Sequence, residues 1–532
     1  ASGGPVAGER GGSASENPDS PPGRYELSGA APPAPARSVE APDWARGTEQ
    51  IDRVETDLYV AELTSHGAAL RSWELRSYDE GPRRGGRPVV LTPVEPPWQT
   101  ALLTPFEELG IGDLAYASYE REPPGEFEHA FRLDHAGIRV RKLYSFEQGS
   151  YGLRIRIELE NHRETPIASR FAIQWPAHVS NAPDFRDLSL SALSAGTVRR
   201  SQLQALGRPG FLGFGSAQPV VELAGGIDWA GIDAPYFIVA VAPDQPLRAR
   251  ARLVALEPGK SGFAEVSFEP IEIPPGQTAT REYRVYAGPK ESARLLAFGS
   301  EVVRSVDLGW MWVSPLTRFF GWLLHALHSL MPNYGVAIIV LTVLVRAVTA
   351  PLTTRQMRSM ERMRLLQPKI KELQAKYGDD RQKQSEEMMR LYRLEKVNPL
   401  GGCLPMFLQL PVFIGLFYAL RSSIDLRRAH FFGWIDDLST PESLLTIPGL
   451  EIPVRVLPLL MGASMVLQQR MTPTPAMDPT QARMMMTIMP IMMTVLFYQF
   501  PSGLVLYWMV SNVLAIAHQR WIGRSIQRPV AT

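Results

Sequence analysis

One apolar stretch constrains the fold of this chain more than any other, namely NYGVAIIVLTVLVRAVTAPL from Asn333 to Leu352. It has the roughly 20 mostly apolar residues that a helix needs to span a bilayer, yet it contains Arg346. An arginine at the centre of a membrane helix costs about 2.5–3.5 kcal/mol on insertion scales. Thr342 lies four residues before Arg346 and therefore on the same helix face. Two interpretations stay open: Arg346 extends to the nearer headgroups, or this face lines a hydrated cavity.

Composition and motifs exclude several kinds of site. The chain has 532 residues, a formal net charge of +1 and a single cysteine, Cys403. This length predicts two or more domains, and one cysteine excludes a disulfide framework and a cysteine-based zinc site. The sequence contains neither a GxxxxGKS/T phosphate loop nor an HExxH pair. We therefore expect no work driven by bound nucleotide, and we predict no cofactor and no metal.

The first half of the chain divides into a linker and a β-domain. Residues 1–47 are rich in Gly, Ser, Pro and Ala, which predicts a flexible linker. Because the sequence begins at Ala1 without a methionine, we expect an export signal or membrane anchor ahead of it. Residues 48–290 contain alternating runs such as GIRVRKLYSF and GLRIRIELEN, which predict the antiparallel strands of a β-sandwich. Its histidines share no ligand spacing, and no acid–base pair stands out.

The segment 291–332 is predicted to be helical and to end in an amphipathic helix. Leucine and phenylalanine recur at helical spacing in PLTRFFGWLLHALHSLM, whereas Arg318, His325 and His328 fall on another side. Such a helix is typical of the membrane interface, where nearby tryptophans lie at headgroup level. The competing interpretation is a further spanning helix, which would bury the arginine and both histidines in hydrocarbon.

Four more apolar segments follow the first one, and together they predict five spanning helices. Polar groups lie within them at Gln409, Ser511 and Asn512, and Gln499 lies at an interface position. Each of the first three either makes an interhelical hydrogen bond worth about 0.6–2 kcal/mol or lines a cavity, and both interpretations stay open. The four segments cover residues 404–420, 454–468, 484–500 and 503–518.

The loops set the orientation. Residues 353–400 contain twelve Lys or Arg against seven Asp or Glu, whereas residues 421–453 contain three Arg against five acids. Positively charged loops stay in the cytoplasm, so the first loop is predicted to be cytoplasmic and the second to lie outside. The C-terminus is then cytoplasmic, and the β-domain lies on the opposite side of the membrane.

The cytoplasmic loop is predicted to fold as a coiled-coil hairpin over residues 355–397, with a break at GDD, residues 378–380. Its methionines either contact varied apolar partners or simply pack the hairpin. Its basic face either meets RNA or anionic lipid or is solvated. The methionines are Met357, Met360, Met363, Met388 and Met389.

Four motifs in the last two-fifths of the chain resemble the YidC-type membrane protein insertases of the Gram-negative type. They are VRAVTAPLT, MRLLQPKIKELQAKYGDD, EKVNPLGGCLPMFLQLPVF and FPSGLVLYWMVSN. The resemblance covers about residues 333–525. It implies a multi-domain protein of the inner membrane: a periplasmic all-β supersandwich, then a five-helix transmembrane core with a cytoplasmic helical hairpin. It also implies a first transmembrane helix before Ala1.

The resemblance also implies a function, which is to insert and help fold nascent membrane proteins through a hydrophilic groove without nucleotide hydrolysis. A chain with this function is not expected to be an enzyme. The expected groove residues are Arg346, Thr342, Gln409, Ser511, Asn512, Tyr507 and Trp508. The expected partners are nascent membrane proteins and the lipid bilayer, with weak ribosome binding through the hairpin and the short tail, residues 526–532. A Sec-type translocon is a further candidate partner, and the chain is expected to act as a monomer. The outer loop 421–453 carries extra residues relative to the family, and their role is open.

The alternative is a polytopic secondary transporter in which Arg346 binds a small anion. Transporters usually show repeated halves and paired broken helices, and this sequence shows no internal repeat. A sugar-active enzyme anchored by the C-terminal half rests only on the sandwich pattern, and the sequence displays no paired carboxylate or histidine site for it.

Overall fold

The computed structural model describes residues 46–80, 86–92, 100–180, 183–208, 218–299, 301–378, 380–395, 404–447, 452–471 and 484–527. Nearly all of the predicted N-terminal linker, the NPLGGC motif and the end of the C-terminal tail therefore lie outside the described residues.

The β-rich part comes first, as the alternating runs predict. All its strand pairs are antiparallel. The strands are β1 Ile51–Glu55, β2 Tyr59–Thr64, β3 Ala69–Asp79, β4 Pro88–Val90, β5 Glu120–Arg121, β6 Glu128–His135, β7 Ile138–Phe146, β8 Gly152–Asn161, β9 Ile167–Ser169, β10 Ile173–His178, β11 Ser189–Ser194, β12 Thr197–Gln202, β13 Val220–Ala224, β14 Ile227–Asp233, β15 Phe237–Pro243, β16 Ala249–Glu257, β17 Ser261–Phe268, β18 Ile271–Ile273 and β19 Thr278–Pro289.

Nine of these strands form one large sheet in the order β12-β11-β14-β15-β19-β8-β7-β6-β5. Every second residue of β7 is buried, which is the period of a sheet with one face on a core. The sheet β10-β17-β16-β13 packs on β11 and β14. The sheet β1-β2-β3-β4 contributes Trp73, whose ring stacks on Tyr59 at 3.9 Å and whose indole N–H donates to the carbonyl of Ala287 in β19 at 2.8 Å. The layers thus share one hydrophobic core.

One position in that core breaks the apolar pattern. Lys142 lies on the buried face of β7, is fully inaccessible to solvent, and bonds through Nζ to the carbonyl oxygens of Gly67 at 3.0 Å and Leu102 at 3.1 Å. Neither partner is a carboxylate. Burial without a counter-charge lowers the pKa of Lys142 to about 7.

This buried lysine predicts a pH dependence. The unfolded chain binds a proton at Lys142 up to about pH 10.4, whereas the folded chain releases it near pH 7, so the unfolded state binds more protons between these values. The β-domain should therefore become more stable as the pH rises from about 7 to about 10, by about 1.4 kcal/mol per unit of pKa difference.

Hydrogen exchange of the β6–β8 amides in the full chain measures this effect, because Lys142→Met should stabilise these strands at pH 7 and reduce the slope with pH. Lys260→Met, at an exposed turn position, is the matched control. An unchanged pH slope in Lys142→Met would contradict the assignment.

The helical part follows the strands. Its helices are α1 Ser292–Phe298, α2 Ser314–Leu330, α3 Tyr334–Leu365, α4 Gln367–Lys376, α5 Arg381–Leu394, α6 Leu404–Ser422, α7 Val456–Met471, α8 Met489–Phe497 and α9 Ser502–Gln527. A π-helical turn, Met484–Ile488, leads into α8, and a hairpin of β20 Leu445–Ile447 and β21 Ile452–Val454 lies in the outer loop. A large β-rich domain followed by a helical region confirms the predicted order of the two parts.

The length and composition of the helices do not confirm the prediction of five spanning helices. Within the described ranges only α3 contains a segment long and apolar enough to cross a membrane, Tyr334–Arg355. A shorter apolar helix covers Met486–Phe497. Helices α7 and α8 have only 16 and 9 residues, and the polar residues of α9 lower its mean hydropathy. The five-helix core therefore stays a prediction.

The amphipathic helix is present as α2, but its buried stripe covers only part of the predicted apolar face. The predicted face comprises Leu316, Phe319, Phe320, Leu323, Leu327 and Leu330. Thr317, Phe320, Leu324 and Leu327 form its buried face, which packs on α6 and α3. Other apolar side chains of the same region are exposed because the neighbouring helices cover only one stripe of α2. The exposed ones are Trp310, Met311, Trp312, Phe319, Trp322 and Leu330.

The loop after α3 contains the two predicted helices, α4 and α5. Leu366 and Ile370 are buried against Met388, Leu391 and Tyr392 of α5. Lys369 pairs with Glu395 at 2.7 Å across the two helices, and the carboxylate of Asp380 accepts the backbone N–H of Lys383 at 3.0 Å as the N-cap of α5. The first half of the predicted hairpin is continuous with α3 as far as Leu365.

The outer loop joins the two parts of the molecule. Ile424 packs into the core of the β-domain, whereas Leu426, two residues later, packs into the core of the helical region. Arg427 donates to both carboxylate oxygens of Asp184, at 2.8 and 2.6 Å. Arg428 donates to Asp79 at 2.9 Å. We call residues 424–428 the clasp, because they contact both cores.

Candidate functional site

The site is built on two helices that run in the same direction, α3 and α9. Both begin beside the outer loop. Asn333, just before α3, donates to the carbonyl of His430 at 3.3 Å, and Ser502, the first residue of α9, donates to the carbonyl of Asp437 at 2.7 Å. Since α3 and α9 start at the side of the β-domain, increasing residue number leads away from that domain in both helices.

Arg346 of α3 meets Ser511 of α9. Its Nε and one terminal nitrogen both donate to the Ser511 hydroxyl, at 2.9 and 2.5 Å, and the arginine is half-buried. The guanidinium therefore points towards α9, and it does not extend along α3 towards the end of the helix. Five donors on a guanidinium exceed what one hydroxyl accepts, so donors remain for water or for another molecule.

The neighbouring residue of α9 bonds to a third helix. Asn512 donates from Nδ2 to the hydroxyl of Ser464 in α7 at 3.1 Å, and both Ser511 and Asn512 are buried. We call Arg346, Ser464, Ser511 and Asn512 the first polar layer. Ser464 was not among the predicted residues, since a serine in an apolar helix carries no signal of its own in the sequence.

Gln409 and Tyr507 bond to each other at 2.9 Å, the amide of Gln409 donating to the Tyr507 hydroxyl. Tyr507 lies one helical turn before Ser511 and is fully buried. The bond ties α6 to α9 and is the second contact, after that of Arg346 with Ser511, in which both residues were predicted.

Two predicted residues take packing positions. The hydroxyl of Thr342 is fully buried and donates to the carbonyl of Ile338 in its own helix at 2.6 Å. Trp508 packs against Phe413 at 4.7 Å and Phe497 at 4.9 Å between ring centres. The aromatic residues of α6 and α8 were not predicted, because nothing in their local spacing says which rings meet.

The helical segments around Arg346 contain no acidic residue. The sequence has no Asp or Glu between 334 and 360, 404 and 424, 452 and 471, or 484 and 527. These ranges hold all of α6, α7, α8 and α9 and the spanning part of α3. Arg346 accordingly has no ion-pair partner among the described residues, and the first polar layer presents a positive charge without a counter-charge.

A second pair of bonds repeats this arrangement seven residues further along α9. The hydroxyl of Thr354 in α3 lies 3.0 Å from Nε2 of His518, and Gln519 donates to the carbonyl of Met471, the last residue of α7, at 2.6 Å. We call Thr354, Met471, His518 and Gln519 the second polar layer. The sequence signal was the repeat of Ser511-Asn512 as His518-Gln519 at a spacing of seven, which places both pairs on one helix face.

The chain matches two family models, one for each part. Residues 52–323 match the model described as YidC periplasmic domain, and residues 326–529 match the model described as 60Kd inner membrane protein. The YidC membrane protein insertase of Pelobacter propionicus is 35% identical over 502 residues, which cover 92% of this chain and 90% of the relative. That of Methylobacillus flagellatus is 34% identical over 498 residues, with 91% and 86% covered. This chain belongs to the YidC family.

Solved structures give weaker likenesses. A crystal structure of an active YidC insertase with its first transmembrane domain resolved has 18% identity and a TM-score of 0.36, and the alignment covers 89% of this chain and 92% of that one. A galactose mutarotase-like protein from Lactobacillus casei has 12% identity and a TM-score of 0.34, covering 45% of this chain and 100% of that one. Neither likeness adds to the family assignment.

Membership of the YidC family assigns the β-rich part as the periplasmic domain of an inner-membrane protein. The names of the relatives describe insertases, which agrees with the expectation of a chain that is not an enzyme, and they give the transporter alternative no support. Among the described residues no group of three His, Cys, Asp or Glu side chains is placed to hold a metal ion.

The structure describes the side chains of three of the five predicted hairpin methionines. Met388 packs on the α4–α5 core, Met357 is half-buried, and Met389 is exposed. The side chains of Met360 and Met363 lie outside the described residues. A packing role thus fits Met388, whereas Met389 is free to contact a partner.

Proposed function

We propose that this chain inserts nascent membrane proteins and helps them fold, with the first polar layer as the place where the polar part of a substrate enters the membrane. One observation carries the proposal: Arg346 is held by Ser511, and neither residues 334–360 of α3 nor any part of α9 contains an acidic residue. A fixed cation without a counter-charge attracts a carboxylate, and it retains water in an otherwise apolar region.

The physical problem that the chain solves is the crossing of polar groups. Each unsatisfied polar group in hydrocarbon costs several kcal/mol. A hydrated groove that reaches Arg346 from the cytoplasm would shorten the apolar path. Gln409, Ser511 and Asn512 would supply further hydrogen-bonding partners, and Tyr507 and Trp508 would form the wall. No covalent step and no nucleotide is involved.

The apolar part of a substrate needs a different surface. Helix α7 exposes Leu459, Leu460 and Leu467, and α9 exposes Val513. A substrate helix can pack on these side chains as it leaves the groove for lipid. Short helices such as α7 would also thin the bilayer locally, which lowers the barrier.

The topology belongs to the same proposal. Five spans within residues 333–525 place the α4–α5 hairpin and the C-terminus in the cytoplasm. The domains would be a linker 1–47, a periplasmic β-domain 48–290, an interfacial segment 291–332, the insertase core and a short tail, 526–532. The exposed aromatic side chains at Trp310, Trp312, Phe319 and Trp322 support an interfacial position for α2. We also propose that the chain acts as a monomer, that it binds the ribosome weakly, and that a Sec-type translocon is a further partner.

Replacing Arg346 with alanine tests the proposal. In proteoliposomes that contain the full chain, insertion of a single-span substrate with an acidic translocated segment should fall about tenfold, since a charge-assisted hydrogen bond contributes about 1.5–3 kcal/mol. Arg346→Lys should keep part of the activity because it keeps the charge. Arg470→Ala, at an exposed position of α7, is the matched control.

Two results would count against the proposal in different ways. If Arg346→Ala inserts the acidic substrate as well as the unmodified chain does, the role of the arginine is refuted. If the unmodified chain inserts no more substrate than empty liposomes do, the function itself is refuted.

A further inference from the structure

We infer that the second polar layer is a second binding point for the translocated segment of a substrate, so that the groove selects segments with two polar side chains at a fixed spacing. This inference rests on the proposed function and extends it from one residue to a pattern in the substrate.

The two layers have the same construction. In each, the first residue of a pair on α9 contacts α3, as Ser511 contacts Arg346 and His518 contacts Thr354. In each, the second residue of the pair contacts α7, as Asn512 contacts Ser464 and Gln519 contacts Met471. The repetition follows because α3 and α9 run in parallel and residues seven apart lie on the same helix face.

The layers differ in depth. A rise of 1.5 Å per residue puts His518 about 10.5 Å from Ser511 along α9, and Thr354 about 12 Å from Arg346 along α3. The second layer is the one further from the β-domain, so it lies toward the cytoplasmic end of the proposed groove. A substrate that enters from the cytoplasm passes it first.

The chemistry of the second layer suits a hydrogen-bond acceptor. The Thr354 hydroxyl and the imidazole of His518 are half-buried. Because one of them donates to the other, the pair keeps one donor for a substrate. Asp, Glu, Asn and Gln side chains supply the matching acceptor oxygens. The first layer, with its full positive charge, favours a carboxylate specifically.

The spacing of the layers fixes the spacing in the substrate. An extended chain covers about 3.3 Å per residue, so a gap of about 11–12 Å corresponds to three or four residues. The expected substrate segment therefore has an acidic residue that reaches Arg346 and a second acceptor side chain three or four residues nearer the cytoplasm.

The test compares matched substrates in proteoliposomes that contain the full chain. Three single-span substrates share one acidic residue: one has no second acceptor, one has an asparagine three residues nearer the cytoplasmic side, and one has it seven residues nearer. We expect the three-residue spacing to insert at least threefold better than the seven-residue spacing. His518→Ala should abolish this preference, whereas His518→Gln, which keeps a donor, should retain part of it.

Thr354→Val should weaken the preference as well, because it removes one member of the hydrogen-bonded pair. Thr353→Val is the matched control, since the Thr353 hydroxyl donates only to carbonyl groups of its own helix, at 2.9 and 3.0 Å. A role in helix packing alone would lower the insertion of all three substrates equally, and that result would overturn the inference.

Failure of the inference is distinguishable from failure of the proposed function. If Arg346→Ala lowers insertion of the single-acid substrate but the unmodified chain shows no spacing preference, only the second binding point is refuted. If no substrate is inserted above the level of empty liposomes, both are refuted.

Discussion

Replacing Asp184 with asparagine is expected to loosen the β-domain from the outer loop by about 3–5 kcal/mol. Asp184 and Arg427 are almost completely buried, with 6% and 5% of their side chains exposed, and removal of one partner leaves an uncompensated buried charge. Burial alone would lower the pKa of Arg427, but the hydrogen bonds to Asp184 together with the negative charges of Asp184 and Asp437 raise the pKa. Arginine is not deprotonated in proteins, so the guanidinium stays charged in the variant and no neutral form relieves the penalty.

Hydrogen exchange in the full chain measures the loosening. Amides of the clasp should exchange about 100-fold faster or more, because each 1.4 kcal/mol is a factor of ten. Asp187→Asn, three residues away and exposed, should leave exchange unchanged. The double variant Asp184→Leu with Arg427→Met should recover most of the protection, because apolar replacement of a buried pair is often neutral. Unchanged exchange in Asp184→Asn would contradict the account.

Loosening of the clasp should also affect the proposed groove. The outer loop that carries the clasp also bonds the first turn of α9 through Asp437 and Leu438, and Tyr236 of the β-domain donates to the carbonyl of Ser439 at 3.4 Å. Ser511 lies nine residues after Ser502, or about 13.5 Å along the helix. A loosened clasp should therefore also loosen the first turn of α9, the helix whose Ser511 bonds to Arg346.

Replacing Gly231 with alanine is expected to destabilise the β-domain by at least about 3 kcal/mol. A Cβ at this position would lie 1.9 Å from the carbonyl oxygen of Val239, on the neighbouring strand β15, where Gly231 is paired with Ala240. Since the obstacle is backbone, no side chain can rotate away, and β14 and β15 would have to separate. Overpacking of this kind belongs to the most destabilising substitutions.

The measurement is hydrogen exchange of the β14 and β15 amides, together with the midpoint of thermal unfolding of the full chain. Gly299→Ala is the control, because its backbone is extended and, among the described residues, the only atom within 4 Å of its added Cβ is a terminal nitrogen of Arg284 at 4.0 Å. Equal unfolding midpoints for the two variants would show that the close approach at Gly231 is not a real constraint.

Local patterns in the sequence predicted the elements well. The alternation in GIRVRKLYSF appears as β7 with every second residue buried, and the apolar run from Asn333 appears in α3. The GDD break falls between α4 and α5. In each case the period of apolar residues matches the period of one regular element, so the information is local.

The faces of α2 could not be predicted in the same way. Its sequence is apolar over more than half of its circumference, so the spacing alone fits several buried stripes. Which stripe is buried depended on where α3 and α6 lie, and this left Phe319 and Trp322 exposed while Phe320 and Leu324 are covered.

By itself the sequence determined the family, the order of a β-rich part and a helical part, and the presence of an arginine in an apolar stretch that lacks acidic residues. Only the tertiary structure decided which groups meet: Arg346 with Ser511, His518 with Thr354, and Asp184 with Arg427, which are 165, 164 and 243 residues apart. The physical reason is that periodicity reports how one element presents its side chains to its surroundings. The partner of a polar group across a helix or domain contact is set by the packing of whole elements, and no local spacing encodes it.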